Sequence, residues 1–149
     1  MADVEQLHFK IGISGTFWDK RPVYTVVLND QTVVDQQSVA LASDEVEYIE
    51  FDQEITEGSN VLKIRLENKD RSDTVQNEDK TAIVKDMLLN IVSIEIDEIN
   101  LGQLIWDASS FTSDDADRPT LKNCVNLGWN GTWQLEFTSP FYIWLLENI

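Results

Sequence analysis

The chain reads as all-β: one domain, residues 1–149, built as an antiparallel β-sandwich or jelly roll. Three observations predict this. Apolar and polar residues alternate in one segment after another, the pattern of a strand with one buried face. At least seven such segments follow each other, separated by turns carrying Gly, Asn or Asp. Helical spacing is almost absent, so two packed layers of strands are the natural way to bury the apolar faces. A small barrel and an α+β fold are the alternatives.

The elements follow in order. In "LHFKIGISG", Leu7, Phe9, Ile11 and Ile13 share one face, with His8, Lys10 and Ser14 on the other. "PVYTVVLN" is a β-branched strand after Pro22, and "NDQT" is a tight turn into a short partner, "VVD". "QQSVALAS" is read as one or two helical turns. "EVEYIEFD" is a strand, "TEGSN" a turn centred on Gly58, and "VLKIRLEN" points Leu62, Ile64 and Leu66 inward. In "IVKDMLLNIVSIEIDEINLG" the alternation runs through Val92, Ile94 and Ile96, and in "WQLEFTS" through Trp133, Leu135 and Phe137. The run "FYIWLL" is apolar at every position and is read as a strand covered on both faces. Either the core or a subunit contact covers it. Phe141, Tyr142 and Trp144 are the candidate interface residues, since large aromatics dominate interface centres.

Acidic residues number 27 against 11 basic, a formal net charge of −16. That excess repels phosphate backbones and anionic lipid, so neither nucleic acid nor a membrane surface is an expected partner. The segment "MADVEQLHFK" lacks the basic and apolar regions of a secretory leader, and no apolar run reaches the roughly 20 residues of a membrane span. Synthesis in the cytoplasm is the expectation. "NGT" at Asn130 matches a glycosylation sequon but reads as a turn.

Residues 46–101 carry a resemblance. "VEYIEFDQEITEGSNVLKIRLENK" and "IVKDMLLNIVSIEIDEINLG" place Gly58, Asn60, Leu62, Asn68, Asp86, Leu89, Ile91, Ile94, Ile96 and Asp97 as in carbohydrate-binding-module β-sandwiches. Calcium-dependent xylan-binding modules share that layout. The resemblance therefore implies a carbohydrate-binding-module-like sandwich, with calcium and surface glycans as possible ligands. The whole chain, ending in "LGWNGTWQLEFTSPFYIWLLENI", also resembles small virion proteins of large tailed bacteriophages. That implies a structural part of a capsid, tail or fibre, located in the virion, whose partners are other virion proteins or copies of itself. The virion role is the leading expectation. A calcium-dependent glycan-binding adhesion module and an accessory domain of a glycoside-active enzyme are the alternatives.

Two polar loops, residues 68–80 and 109–118, exceed ordinary hairpin length and are where binding is expected. A hard cation needs several oxygen ligands, and Asp70, Asp73, Glu78 and Asp79, with Asp86 beyond them, form the candidate calcium set. Asp114, Asp115 and Asp117 form a second acidic loop. Sugar rings stack on exposed indoles, and Trp18, Trp106 and Trp129 stand next to turns or acidic loops. Trp133 and Trp144 fall in segments read as strands. Enzyme signals are thin. His8 is the sole histidine and reads as solvent-facing, and Cys124 is the sole cysteine and reads as a small packed hydrophobe. That count excludes an internal disulfide or a multi-cysteine zinc site. No nucleophile–base motif is present.

Overall fold

A computed structural model describes residues 4–149; residues 1–3, which begin the expected domain and the segment read for a leader, lie outside the described residues. Two antiparallel sheets face each other. One has the order β12 (Asn126–Leu127), β8 (Leu88–Ile96), β1 (Val4–Thr16), β4 (Val46–Thr56), with β9 (Ile99–Asn100) also on β8. The other runs β11 (Leu121–Lys122), β10 (Ser109–Ser113), β13 (Gly131–Ser139), β5 (Gly58–Leu66), β2 (Val23–Leu28), β3 (Gln31–Ser38). A separate hairpin, β6 (Val75–Gln76) with β7 (Ile83–Lys85), extends from one end. The protein is an antiparallel β-sandwich, as its alternation predicts.

The predicted faces meet in one core. Leu7, Phe9, Ile11 and Ile13 of β1 and Leu89, Ile91, Ile94 and Ile96 of β8 pack against Leu62, Ile64, Leu66, Trp133, Leu135 and Phe137 from the opposite sheet. Phe9 stacks on Phe51 at 5.0 Å within its sheet and meets Phe137 of the other at 6.2 Å. Gly58, at φ +105°, turns the chain from β4 in one sheet into β5 in the other, a conformation that side chains with a Cβ rarely adopt.

Four expectations are corrected. "FYIWLL" is not a strand: α2 spans Phe141–Asn148. Phe141, Trp144 and Leu145, spaced i, i+3, i+4, face the core, while Tyr142, Ile143 and Leu146 face solvent. Pro140 ends β13, and the Glu5 carboxylate of β1 accepts hydrogen bonds from the first helical N–H, Phe141, and from the Ser139 hydroxyl, both at 2.8 Å. Of the proposed interface residues, Phe141 and Trp144 are therefore interior, and Tyr142 alone is on the surface. Second, Val92 does not continue the inward alternation. A β-bulge shifts the β1–β8 register between Gly12 and Ile13, so Gly12 pairs with Ser93 and Ile13 with Ile91, and Val92 turns outward. Third, residues 36–38 finish β3 rather than coil into a helical turn. Fourth, the first half of the 109–118 loop is β10.

Trp144 lies against Phe137 and Phe141 at about 6.2 and 6.1 Å. Chemical denaturation should show Trp144→Ala losing about 3–5 kcal/mol of stability, and Tyr142→Ala less than about 1 kcal/mol. A small loss for Trp144→Ala would contradict the packing described.

Candidate functional site

One end of the sandwich gathers the loops that the strands leave open. There β1, β5 and β10 finish and β2, β8 and β13 begin, so residues 17–22, 67–87, 114–120 and 128–130 are neighbours. Three contacts fix them to one another. The Asn130 side chain brackets the Lys69 peptide, accepting from its N–H at 2.6 Å and donating to its carbonyl at 2.9 Å. The Trp18 indole N–H donates to the Asp73 carbonyl at 2.9 Å. Lys20 bridges Asp70 and Asp73 at 2.7 and 3.0 Å. Asn130, the sequon asparagine, is thus used internally.

At the centre of this end Lys69 is turned inward and is only 3% exposed. Its ammonium pairs with Asp86 and donates to the Met87 carbonyl at 2.6 Å. Asp86 Oδ1 also accepts from the Thr74 hydroxyl at 2.7 Å and the Met87 N–H at 2.8 Å. Burial alone would push the Asp86 carboxyl up; hydrogen bonds from Lys69, Thr74 and Met87 outweigh it and hold the group below the ordinary carboxylate value. All three donors converge on Oδ1, which leaves Oδ2 without a partner among the described residues on a carboxylate that lines a cleft.

Trp129 stands where two clefts meet. A smaller one, of about 230 Å³, is lined by Phe111, Ser113, Arg118, Pro119, Leu121 and Trp129. A larger one, of about 400 Å³, is lined by Arg71, Thr74, Asp86, Arg118, Gly128 and Trp129. The Arg118 guanidinium lies 4.6 Å from the Trp129 ring centroid.

The sequence candidates divide accordingly. Trp129 and Asp86 share the larger cleft, and Trp18, about two-fifths exposed, adjoins the turn carrying Arg71. Trp106, on the short helix α1 (Leu104–Asp107), belongs to a different depression with Ile91, Val92 and Val125. The five proposed calcium ligands do not converge. Asp73 is engaged by Lys20 and the Asp70 N–H, Asp86 by Lys69, while Glu78 and Asp79 occupy the exposed tip of the β6–β7 hairpin. Among the described residues no three acidic, His or Cys side chains are placed to hold a metal ion. These side chains therefore do not fit a calcium ion: ammonium groups stand where a cation would. Asp114 is paired with Arg65 at 2.7 Å and Asp115 with Arg118 at 3.6 Å.

His8 sits between Asp52 at 2.8 Å and Glu50 at 3.2 Å on the outer face of β1 and β4, and the hydrogen bonds that its ring donates to Asp52 first and Glu50 second raise its pKa. The Cys124 thiol, pushed up by burial, donates to the Asn126 carbonyl at 3.3 Å. The sequence reading missed Lys69, Arg71 and Arg118. Among the described residues no helix is long and apolar enough to cross a membrane.

No protein-family model matches this chain, and neither does any curated protein sequence. Among solved structures, "vCBM60 in complex with galactobiose" aligns with a TM-score of 0.51 and 11% identity, over 86% of this chain and 96% of that one. At such identity the likeness bears on the fold alone, a β-sandwich shared with that carbohydrate-binding module.

Lys69→Met should cost about 3–5 kcal/mol at neutral pH, because it leaves a carboxylate in a partly buried place without its counter-charge. A group whose folded pKa is lowered stabilises above its unfolded value and loses that contribution as pH falls through the folded one. The deficit of Lys69→Met against wild type should therefore shrink on acidification below about pH 4, as urea titrations at several pH values would show. Millimolar calcium should move the melting midpoint by less than about 1 °C, since only a ligand bound by the folded state raises it; a larger rise would restore the calcium site.

Proposed function

We propose that this chain is a non-catalytic carbohydrate-binding module that seats a sugar ring against Trp129. One observation carries the reading: a half-buried indole in a turn forms the wall shared by two clefts whose remaining lining supplies hydrogen-bond donors and acceptors. A sugar ring has apolar C–H faces and a hydroxyl-bearing rim. Recognition needs an aromatic face together with a few rigid polar atoms. Trp129 supplies the first; Asp86 Oδ2 and the Arg118 guanidinium supply the second. The fold likeness to a module solved with galactobiose supports the ligand class. Recognition proceeds without a metal, because Lys69 already neutralises Asp86. A module of this kind serves an adhesion protein or a glycoside-active enzyme by holding a partner near a glycan surface.

A second reading, a structural part of a phage particle that works through protein contacts, is favoured by one feature: the outer face of α2. Tyr142, Ile143 and Leu146 are exposed there by 51, 53 and 72%. Light scattering separates the two readings. A large homogeneous assembly that Leu146→Asp dissolves supports the virion reading, and a monomer opposes it.

On a glycan array the protein should bind at least one oligosaccharide. By calorimetry Trp129→Ala should weaken that ligand about ten-fold or more, given the stacking and area lost with one indole. Trp106→Ala should leave the affinity unchanged. Binding that survives Trp129→Ala, or an array with no signal, would sink the proposal.

A further inference from the structure

The larger cleft beside Trp129 has a charge opposite to that of the chain around it. The protein carries a formal net charge of −16. Yet the ionisable groups lining this cleft are Arg71, Arg118 and Asp86, and the one acid among them is already matched by the buried Lys69 ammonium. The cleft is locally cationic. The other depressions differ: the one between β10 and β13 combines Asp107 and Glu136 with Lys122, and the one beside β3 carries Asp52.

Arg71 is open to a ligand. Arg71 is exposed and makes no ion pair among the described residues. It sits on a single helical turn, Arg71–Asp73, held by the Asp70 N–H donating to the Asp73 carboxylate at 2.7 Å and by Lys20 bridging both acids. The turn is therefore set by its neighbours, and the Arg71 guanidinium has no ion-pair partner among the described residues. Arg118 lies over the Trp129 ring, 4.6 Å from its centroid, and has one ion pair, to Asp115, at a long 3.6 Å. A guanidinium is planar and offers parallel N–H donors that match the two oxygens of a carboxylate.

We infer that this cleft takes a sugar bearing a carboxylate, a hexuronate within an acidic glycan. Its ring lies against Trp129 on the side that Arg118 does not cover, its carboxylate is held by Arg71 with Arg118 beside it, and one hydroxyl donates to the unpartnered Oδ2 of Asp86. The inference deepens the carbohydrate reading of the same site and rests on it. The acidic surface elsewhere does not oppose it at contact range. Ionic screening acts over roughly 8 Å at physiological salt, so the groups inside the cleft decide.

The test uses two probes that differ only in charge: an oligogalacturonate and the same oligomer after its carboxylates have been reduced to alcohols. Both are titrated calorimetrically at one fixed ionic strength. The acidic oligomer should bind about ten-fold more tightly, the scale of one charge-assisted contact. Arg71→Gln should remove most of that preference, while Lys63→Gln, which deletes an equal charge from the middle of β5, should keep it. Equal affinity for the two oligomers, or a preference untouched by Arg71→Gln, would overturn the inference and leave the carbohydrate reading standing. Failure of both oligomers to bind overturns the inference, and the glycan array then decides the carbohydrate reading separately.

Discussion

A buried ammonium organises the loop end of this protein. Lys69 leaves β5, turns inward, and is held at its peptide by Asn130 and at its tip by Asp86 and Met87. Three segments far apart in sequence are joined through that one residue: the exit of β5, the entry of β8 and the turn that carries Trp129. An unpaired charge in such a place is far costlier than the pair, so the three segments are constrained to meet in one arrangement. The same pairing decides what the end can bind. It uses one oxygen of Asp86, leaves the other without a partner among the described residues, and offsets the negative charge that would otherwise attract a metal ion and repel an anion.

Below that end, the sandwich is a support built from ordinary burial. Its two sheets bury their apolar faces on each other, and β1 is tied to the start of α2 through Glu5. Rigid sheets with irregular loops at one end are a common basis for recognition, because the loops can vary without disturbing the core. The sugar-binding reading draws on that division of labour, and the fold likeness to a carbohydrate-binding module agrees with it.

How much of this the sequence discloses depends on how local each cause is. Leu7 to Ile13, Leu62 to Leu66 and Trp133 to Phe137 alternate by their own chemistry, and the structure buries each as expected. Val92 misleads because a bulge depends on the partner strand: Gly12 opposite Ser93 makes room for it, and no feature of β8 alone announces it. "FYIWLL" misleads for a different reason. A helix with an apolar outer face has no polar positions to reveal its period, so the i, i+3, i+4 spacing of Phe141, Trp144 and Leu145 is hidden among Tyr142, Ile143 and Leu146. At the site, Trp129 and Asp86 could be singled out by residue type. Lys69 could not, since lysine is almost always solvated and its partner lies 17 residues away. Arg71 and Arg118 were masked by the aspartates beside them, which suggested a cation where the folded cleft carries positive charge.

The account stands or falls on Trp129 as the sugar platform. Nuclear magnetic resonance reads this directly, because the five tryptophans give five separate indole N–H signals. During titration with an acidic oligosaccharide, the Trp129 signal should move progressively and saturate, while those of Trp106, Trp133 and Trp144 hold still. Saturable movement of Trp106 with Trp129 unmoved, or no movement at all, would contradict it.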